Sequence, residues 1–210
     1  MDYNEEYLKK LLLAEDAAKL VKSGDYVVFT PGREARAIGL ALASRKEELQ
    51  GVKLYLTSPG FDFGWYDPGW NDSFEVTIAF PTATCQESLD AKLCDFSPLD
   101  LIPFRELEYA PIPDVVLTEV SPPDELGFCS FGNSVWNKKS LIRRAKLSIA
   151  ETNPRLIRTY GDNYIHISEI DHFVKHVPSG AEPGVGSLAG RELKPDEPYP
   201  TKEPVAQTNC

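Results

Sequence analysis

The sequence predicts an α/β fold, a mostly parallel sheet flanked by helices, and three observations carry this. Short apolar runs without alternation recur at 26–30 (YVVFT), 52–58 (VKLYLTS), 114–120 (DVVLTEV) and 147–152 (LSIAET); a strand buried on both faces of a parallel sheet reads this way. Between them lie stretches with helical spacing, at 5–22, 35–49 and 136–146. The joints are dense in Pro, Gly, Ser, Asn and Asp, and strands alternating with helices in one chain build a sheet covered on both sides.

In order, Leu8, Leu11, Leu12, Ala18 and Val21 define one face of a first helix over 5–22. Ser23-Gly24 ends it, with Gly24 suited to the left-handed position after a helix. Residues 26–30 are the first strand, 31–34 a loop, 35–49 a helix with Ala37, Ile38, Ala41 and Leu42 inward, and 52–58 the next strand, together a βαβ unit. An aromatic loop at 59–72 holds Phe61, Phe63, Trp65, Tyr66 and Trp70; it reads equally as a pocket wall, a contact surface or a buried cluster. A strand at 74–80 and a short helix at 85–93 follow. Residues 114–120 are a strand, 136–146 a helix, 147–152 a strand, 164–168 a short β segment and 169–176 a helix. From 178 to 210 the chain carries six prolines and no apolar periodicity. Residues 1–177 therefore read as one α/β domain and 178–210 as an extended or disordered tail.

The formal charge of −10 argues against nucleic-acid binding, which needs a basic face to displace phosphate counterions. No apolar stretch approaches the roughly 18 residues of a membrane span, and the acidic start (MDYNEE) does not resemble a signal peptide. Cys85, Cys94, Cys129 and Cys210 form no CxxC pair. They read as free thiols in a reducing cytoplasm.

Ligands of parallel sheets sit at the carboxyl ends of strands, so three loops should meet there: 31–36, 121–134 and 153–163. The first offers Gly32, Arg33 and Glu34. Arg33 or Arg36 at a helix start suits a carboxylate or phosphate, with a solvated arginine as the plain alternative. The second offers Ser121, Asp124, Gly127, Ser130, Gly132, Asn133 and Ser134; the glycines permit close approach, while Asp124 and the hydroxyls can hold neighbouring amides. That loop reads either as a pocket wall or as a brace for the sheet edge. Asn153 and His166 complete the set, with a structural role for His166 beside a functional one. Glu169 and Asp171 suit a helix start. His172 and His176 have an i, i+4 spacing that can bind metal on a helix, but no third ligand is apparent and no metal is assigned. Glu119 reads as a local cap or pair and Glu125 as solvated.

Several blocks resemble a known family. The opening AEDAAKLVKSGDYVVFTPG, the segment ARAIGLALASRKEEL at 35–49, SPPDELGFCSFG at 121–132, AKLSIAETN at 145–153 and GDNYIHISEID at 161–171 are, in this order, similar to the first half of the acetyl-CoA hydrolase/transferase family of CoA-transferases. The match is poor over 60–112. The resemblance implies a CoA-transferase domain-like fold and an activity that moves CoA between an acyl-CoA and a carboxylic acid, or hydrolyses acyl-CoA. Coenzyme A or acyl-CoA is then a substrate, and no bound cofactor is implied. It also implies two similar domains, with the nucleophilic glutamate and a glycine-rich oxyanion loop in the second. Neither has a counterpart here, so no residue of this chain is assigned as catalytic. The expectation is an N-terminal-type subunit working in an oligomer with a second subunit or domain. A noncatalytic ligand-binding or scaffold protein, an acyl-CoA hydrolase subunit, or a fragment of a longer enzyme are the alternatives. CoA is an anion, so its site on this acidic chain needs a local basic patch, helix N-termini, or another chain.

Overall fold

The computed structural model describes residues 3–32, 34–98, 111–159 and 161–177. Eight strands form one sheet in which every pairing is parallel. In chain order they are β1 (Leu11–Leu12), β2 (Tyr26–Phe29), β3 (Val52–Leu56), β4 (Phe74–Ile78), β5 (Asp95–Phe96), β6 (Val115–Val120), β8 (Leu147–Thr152) and β10 (His172–Lys175). Their spatial order is β1-β10-β8-β6-β2-β3-β4-β5. Between them, β7 (Phe128–Ser130) and β9 (Tyr164–His166) pair antiparallel as a separate two-stranded ribbon. The helices are α1 (Tyr3–Lys10), α2 (Ala14–Ala18), α3 (Arg36–Ala43), α4 (Gln86–Asp90) and α5 (Lys138–Arg144).

Successive strand residues point to opposite faces, and each face has its own core. Val27 and Phe29 of β2, Val115 and Leu117 of β6, Ile149 of β8 and Val174 of β10 pack with Ala17 and Val21 and with Ile38 and Leu42 of α3. Val28, Val116, Ala150 and Phe173 face the other way, onto Ile142 of α5, Tyr3 and Tyr7 of α1, and the β7–β9 ribbon. All six residues of β6 are buried, which is why this stretch has no polar face to read.

The aromatic loop is part of the first core. Phe61, Phe63, Trp65 and Tyr66 are buried, Phe63 stacks on Trp65 at 4.3 Å between centroids, and Trp65 meets Phe29 at 5.1 Å. Of the three readings of this loop, the buried cluster holds. Helix α3 approaches it through Gly39, where a Cβ would stand 2.4 Å from Cε1 of Phe63. Gly39→Ala is therefore expected to lose roughly 1–3 kcal/mol by overpacking despite alanine's better helix propensity, read as a lowered thermal midpoint. An unchanged or raised midpoint would show that Phe63 yields freely.

Several expected elements differ. The helix placed at 5–22 is two helices broken by β1, because Leu11 and Leu12 pair with Phe173 and Val174 of β10 and Lys10 Nζ donates to the carbonyls of Ile167 and Ile170 at 2.8 and 2.9 Å. Tertiary pairing overrides the helical period. The helix placed at 169–176 is instead a 3-10 turn at Ile167–Glu169 followed by strand β10. Phe173 and Val174 are buried on opposite faces between β1 and β8, a strand environment. Glu169 accordingly sits at that 3-10 turn, bonding back to the His166 backbone, and pairs with Arg143 at 2.5 Å, while Asp171 accepts from the Ser148 amide and hydroxyl at 2.8 Å. Four residues along an extended chain span about 13 Å, so His172 and His176 do not share a metal ion. The helices expected over 35–49 and 136–146 are shorter, ending at Ala43 and Arg144. The tail at 178–210 and Arg33 lie outside the described residues.

Candidate functional site

The sheet order has a switch point at β2. The chain leaves it toward β3 on one side and returns later to β6 on the other, the arrangement that opens a crevice outside the carboxyl ends of the strands. A cleft of about 380 Å³ lies there, lined by Pro31 and Gly32 after β2, Thr57 and Ser58 after β3, Phe80 beyond β4, and Ser134 and Trp136 before α5. Gly32 has φ +100°, and a Cβ on it would fall 2.5 Å from Ser134 Oγ. Only glycine allows these two loops to meet here. Ser134 Oγ donates to the Pro31 carbonyl at 3.0 Å and ties them together. Trp136 is half exposed, holds φ +37° and meets Phe80 edge-on at 6.0 Å.

Three of the expected loops do meet at this edge. The loop 121–134 is locked to the loop 153–163 by Arg158, which donates to Ser121 Oγ at 3.0 Å and to Asp124 Oδ2 at 2.7 Å. Asp124 Oδ1 also accepts from the amides of Leu126 and Phe128. Asn163 Nδ2 donates to the Gly132 carbonyl at 2.7 Å, and Ser130 Oγ accepts from the Gly132 amide at 3.1 Å. Ser121, Asp124, Ser130 and Gly132 thus brace the edge. Gly127 packs against His166, which is exchanging a hydrogen bond with Ser168 and lies edge-on to Tyr3 and Phe128. Asn133 is exposed beside Ser134. Of the residues singled out in the sequence, Gly32 and Ser134 line the cleft itself.

Behind the cleft, the strand ends carry buried charge. Glu34 is 8% exposed and accepts from the Gly60 amide, holding the loops after β2 and β3 together. Burial pushes its carboxyl above the usual carboxylate range, against the opposing pull of that amide. Glu151 on β8 is fully buried; its Oε2 accepts from the Ala37 amide at 2.7 Å, and its Oε1 lies 2.5 Å from His176 Nδ1. Burial raises its pKa too, with His176 and the amide acting the other way. Glu119 on β6 is the neighbour, accepting from Asn153 Nδ2 at 2.8 Å and lying 3.8 Å from His176. Asn153 therefore belongs to this buried network. Sequence reasoning did not single out Lys138, the first residue of α5, which is 2% exposed. Burial pulls its ammonium down to about 8, partly offset by the charge of Glu119. Nothing in its NKK context distinguishes it from a solvated lysine.

The raised carboxyls fix the sign of a pH effect. Where the folded pKa exceeds the unfolded value, the native state holds more protons, so stability falls as pH rises from about 4.5 through the folded pKa. Unfolding free energy is expected to decline as pH rises above about 4.5, and Glu34→Gln to flatten that slope in urea titrations. A wild-type slope that the variant leaves intact would count against Glu34 as its source.

Residues 1–179 match the acetyl-CoA hydrolase/transferase N-terminal domain family. The chain belongs to this family. Among curated acetyl-CoA hydrolase/transferase relatives, it is 32% identical over 179 residues to the succinyl-CoA:cyclohexane-1-carboxylate CoA transferase of Geobacter metallireducens, covering 82% of this chain and 40% of that one. It is 31% identical to the 4-hydroxybutyrate coenzyme A transferase of Clostridium kluyveri, covering 83% and 42%. Among solved structures, the 4-hydroxybutyrate CoA-transferase of Porphyromonas gingivalis superposes with a TM-score of 0.60 at 25% identity over 87% of this chain and 43% of that one. RipA from Yersinia pestis shares the fold, with a TM-score of 0.72 at 23% identity over 93% and 47%. The chain thus spans about two fifths of the length of the curated relatives it matches. Among the described residues no helix is long and apolar enough to cross a membrane.

Proposed function

We propose that this chain is the N-terminal-type half of a CoA-transferase that moves CoA between an acyl-CoA and a carboxylic acid, with the nucleophilic glutamate supplied by a second subunit or domain. The observation that carries this reading is the occupation of the buried glutamates. Glu34, Glu119 and Glu151 are each engaged by an amide or side chain of the fold, and among the described residues no carboxylate lines the switch-point cleft. The cleft offers walls and a charge behind them, while the attacking group must come from outside it. In the reaction, the partner's carboxylate oxygen attacks the thioester carbon, the C–S bond breaks and CoA leaves as thiolate, giving a mixed anhydride. The thiolate then attacks the glutamyl carbonyl and releases the acyl carboxylate, leaving a glutamyl-CoA thioester; the acceptor acid reverses these steps. A cytoplasmic location belongs to the same reading, supported by the free thiols of Cys85, Cys94 and Cys129, and an oligomer follows where the second half is a separate subunit.

The test is isolation of the protein from its native source and assay of butyryl-CoA:acetate exchange. Exchange is expected only in fractions holding a second half, with the borohydride-reducible glutamyl-CoA adduct on that half. Transfer by this chain alone, or an adduct on one of its own glutamates, overturns the division of labour. A lone protein without transfer favours a noncatalytic binder built on the same cleft.

A further inference from the structure

We propose that Lys138 supplies the anion-holding end of the switch-point cleft, and that the ligand held there is a short-chain carboxylate whose hydrocarbon lies against Phe80 and Trp136. Its place in the fold carries the argument. The Lys138 ammonium lies 3.6 Å from the point where a Cβ on Gly32 would stand, so it sits across the small gap at Gly32 from the cleft that Gly32 lines. Ser134 Oγ borders the same gap. Lys138 is nevertheless 2% exposed, and among the described residues its ammonium has neither a hydrogen bond nor an ion pair. The Phe131 ring stands 5.8 Å away, and Glu119 on β6 is the ionisable group whose charge reaches it. Glu119 is itself committed to Asn153.

A buried cation whose burial is only partly offset by a ring and a distant carboxylate is held at a cost, and an anion entering from the cleft reduces that cost. The ammonium, with three N–H donors, can serve both oxygens of a carboxylate, while Ser134 keeps its one proton on the Pro31 carbonyl and holds the two loops around the site. The charge of Glu119, which reaches Lys138, disfavours a multiply charged group. The opposite wall is apolar, with Phe80 and Trp136 edge to face, which suits a few methylene groups. The choice of a carboxylate over other small monoanions rests on the CoA-transferase reading; the cation site does not.

The experiment is a titration of the full chain, labelled with ¹³C at lysine Cε, with sodium butyrate and with neutral butyramide. Butyrate, and not butyramide, is expected to move the Lys138 Cε resonance and to raise its titration midpoint above about 8, because a bound anion favours the charged amine. Lys138→Met is expected to weaken butyrate binding roughly 10- to 100-fold, the effect of a charge-assisted hydrogen bond, with Lys138→Arg restoring part of it. Far-UV circular dichroism checks that the variants fold, and Ser134→Ala gives a second, milder loss. Equal response to butyramide, undiminished binding by a folded Lys138→Met, no butyrate binding, or binding of inorganic phosphate instead each overturn the proposal. A native complex that transfers no CoA leaves this titration unaffected, so the two failures are distinguishable.

Discussion

Glu151→Ala is expected to destabilise the chain by roughly 2–5 kcal/mol at pH 7, the cost of leaving buried polar groups without their acceptor and of opening a cavity. Glu151 is fully buried and its two oxygens hold different parts of the molecule. One accepts from the Ala37 amide at the start of α3, the other faces His176 just beyond β10. Truncation leaves a buried amide and a buried imidazole nitrogen without this acceptor and opens a cavity among three elements. Glu151→Gln keeps an acceptor for the amide and is expected to lose far less. Urea unfolding followed by tryptophan fluorescence checks both. A Glu151→Ala midpoint close to wild type, with the denaturant slope unchanged, would mean that the carboxylate does not bind these elements together.

Lys138→Met is expected to do the opposite, stabilising the free chain by about 3 kcal/mol at neutral pH. The amine falls from its ordinary 10.5 to about 8, and each unit corresponds to about 1.4 kcal/mol. The sign follows from proton counting. Between these two values the native state binds fewer protons than the unfolded chain, so wild-type stability rises with pH across that window. The cost is present in full below pH 8 and gone above 10.5. The advantage of Lys138→Met should therefore be largest at pH 7 and shrink toward pH 10. A variant less stable than wild type at pH 7 would show that Glu119 already compensates the ammonium. If the advantage is found together with weaker butyrate binding, stability and ligand affinity are opposed at this one residue.

The sheet was legible where burial is uniform. The bounds of β8 are those read from LSIAET, and β6 differs by one residue. Both are central and buried on both faces, Glu119 and Glu151 included, so no solvent-facing pattern confuses the reading. The edge elements were not legible. Leu11-Leu12 has helical spacing with its neighbours, and only pairing with a strand far along the chain makes it β1. His172 to Lys175 is flanked by carboxylates that suit a helix start, yet it is drawn into the sheet between β1 and β8.

The site divides the same way. Gly32 and Ser134 were visible because a glycine and a hydroxyl in strand-end loops are local signals. Lys138 was not, because its burial is set by what α5 packs on, while the next residue, Lys139, has the same side chain and pairs with Asp162 at the surface. The Glu151–His176 contact depends on the register of β10 against β8, in which Thr152 stands beside Lys175. Distances of this kind are properties of the sheet and leave no spacing in the chain.

The strand β1 has a bearing on how this polypeptide is made. Among the described strands it comes first in the chain, and its partner β10 comes after all the others. Lys10 likewise waits for two carbonyls 157 and 160 residues downstream. Strands β2, β3 and β4 pair with those that follow them directly, so this wing can assemble while translation continues. The N-terminal segment meanwhile carries Leu11 and Leu12 with no edge to join, a bare strand of the sort that invites pairing with other chains. A product cut short before Lys175 keeps that segment exposed permanently. Closure of the domain is in this way a report that translation has passed β10.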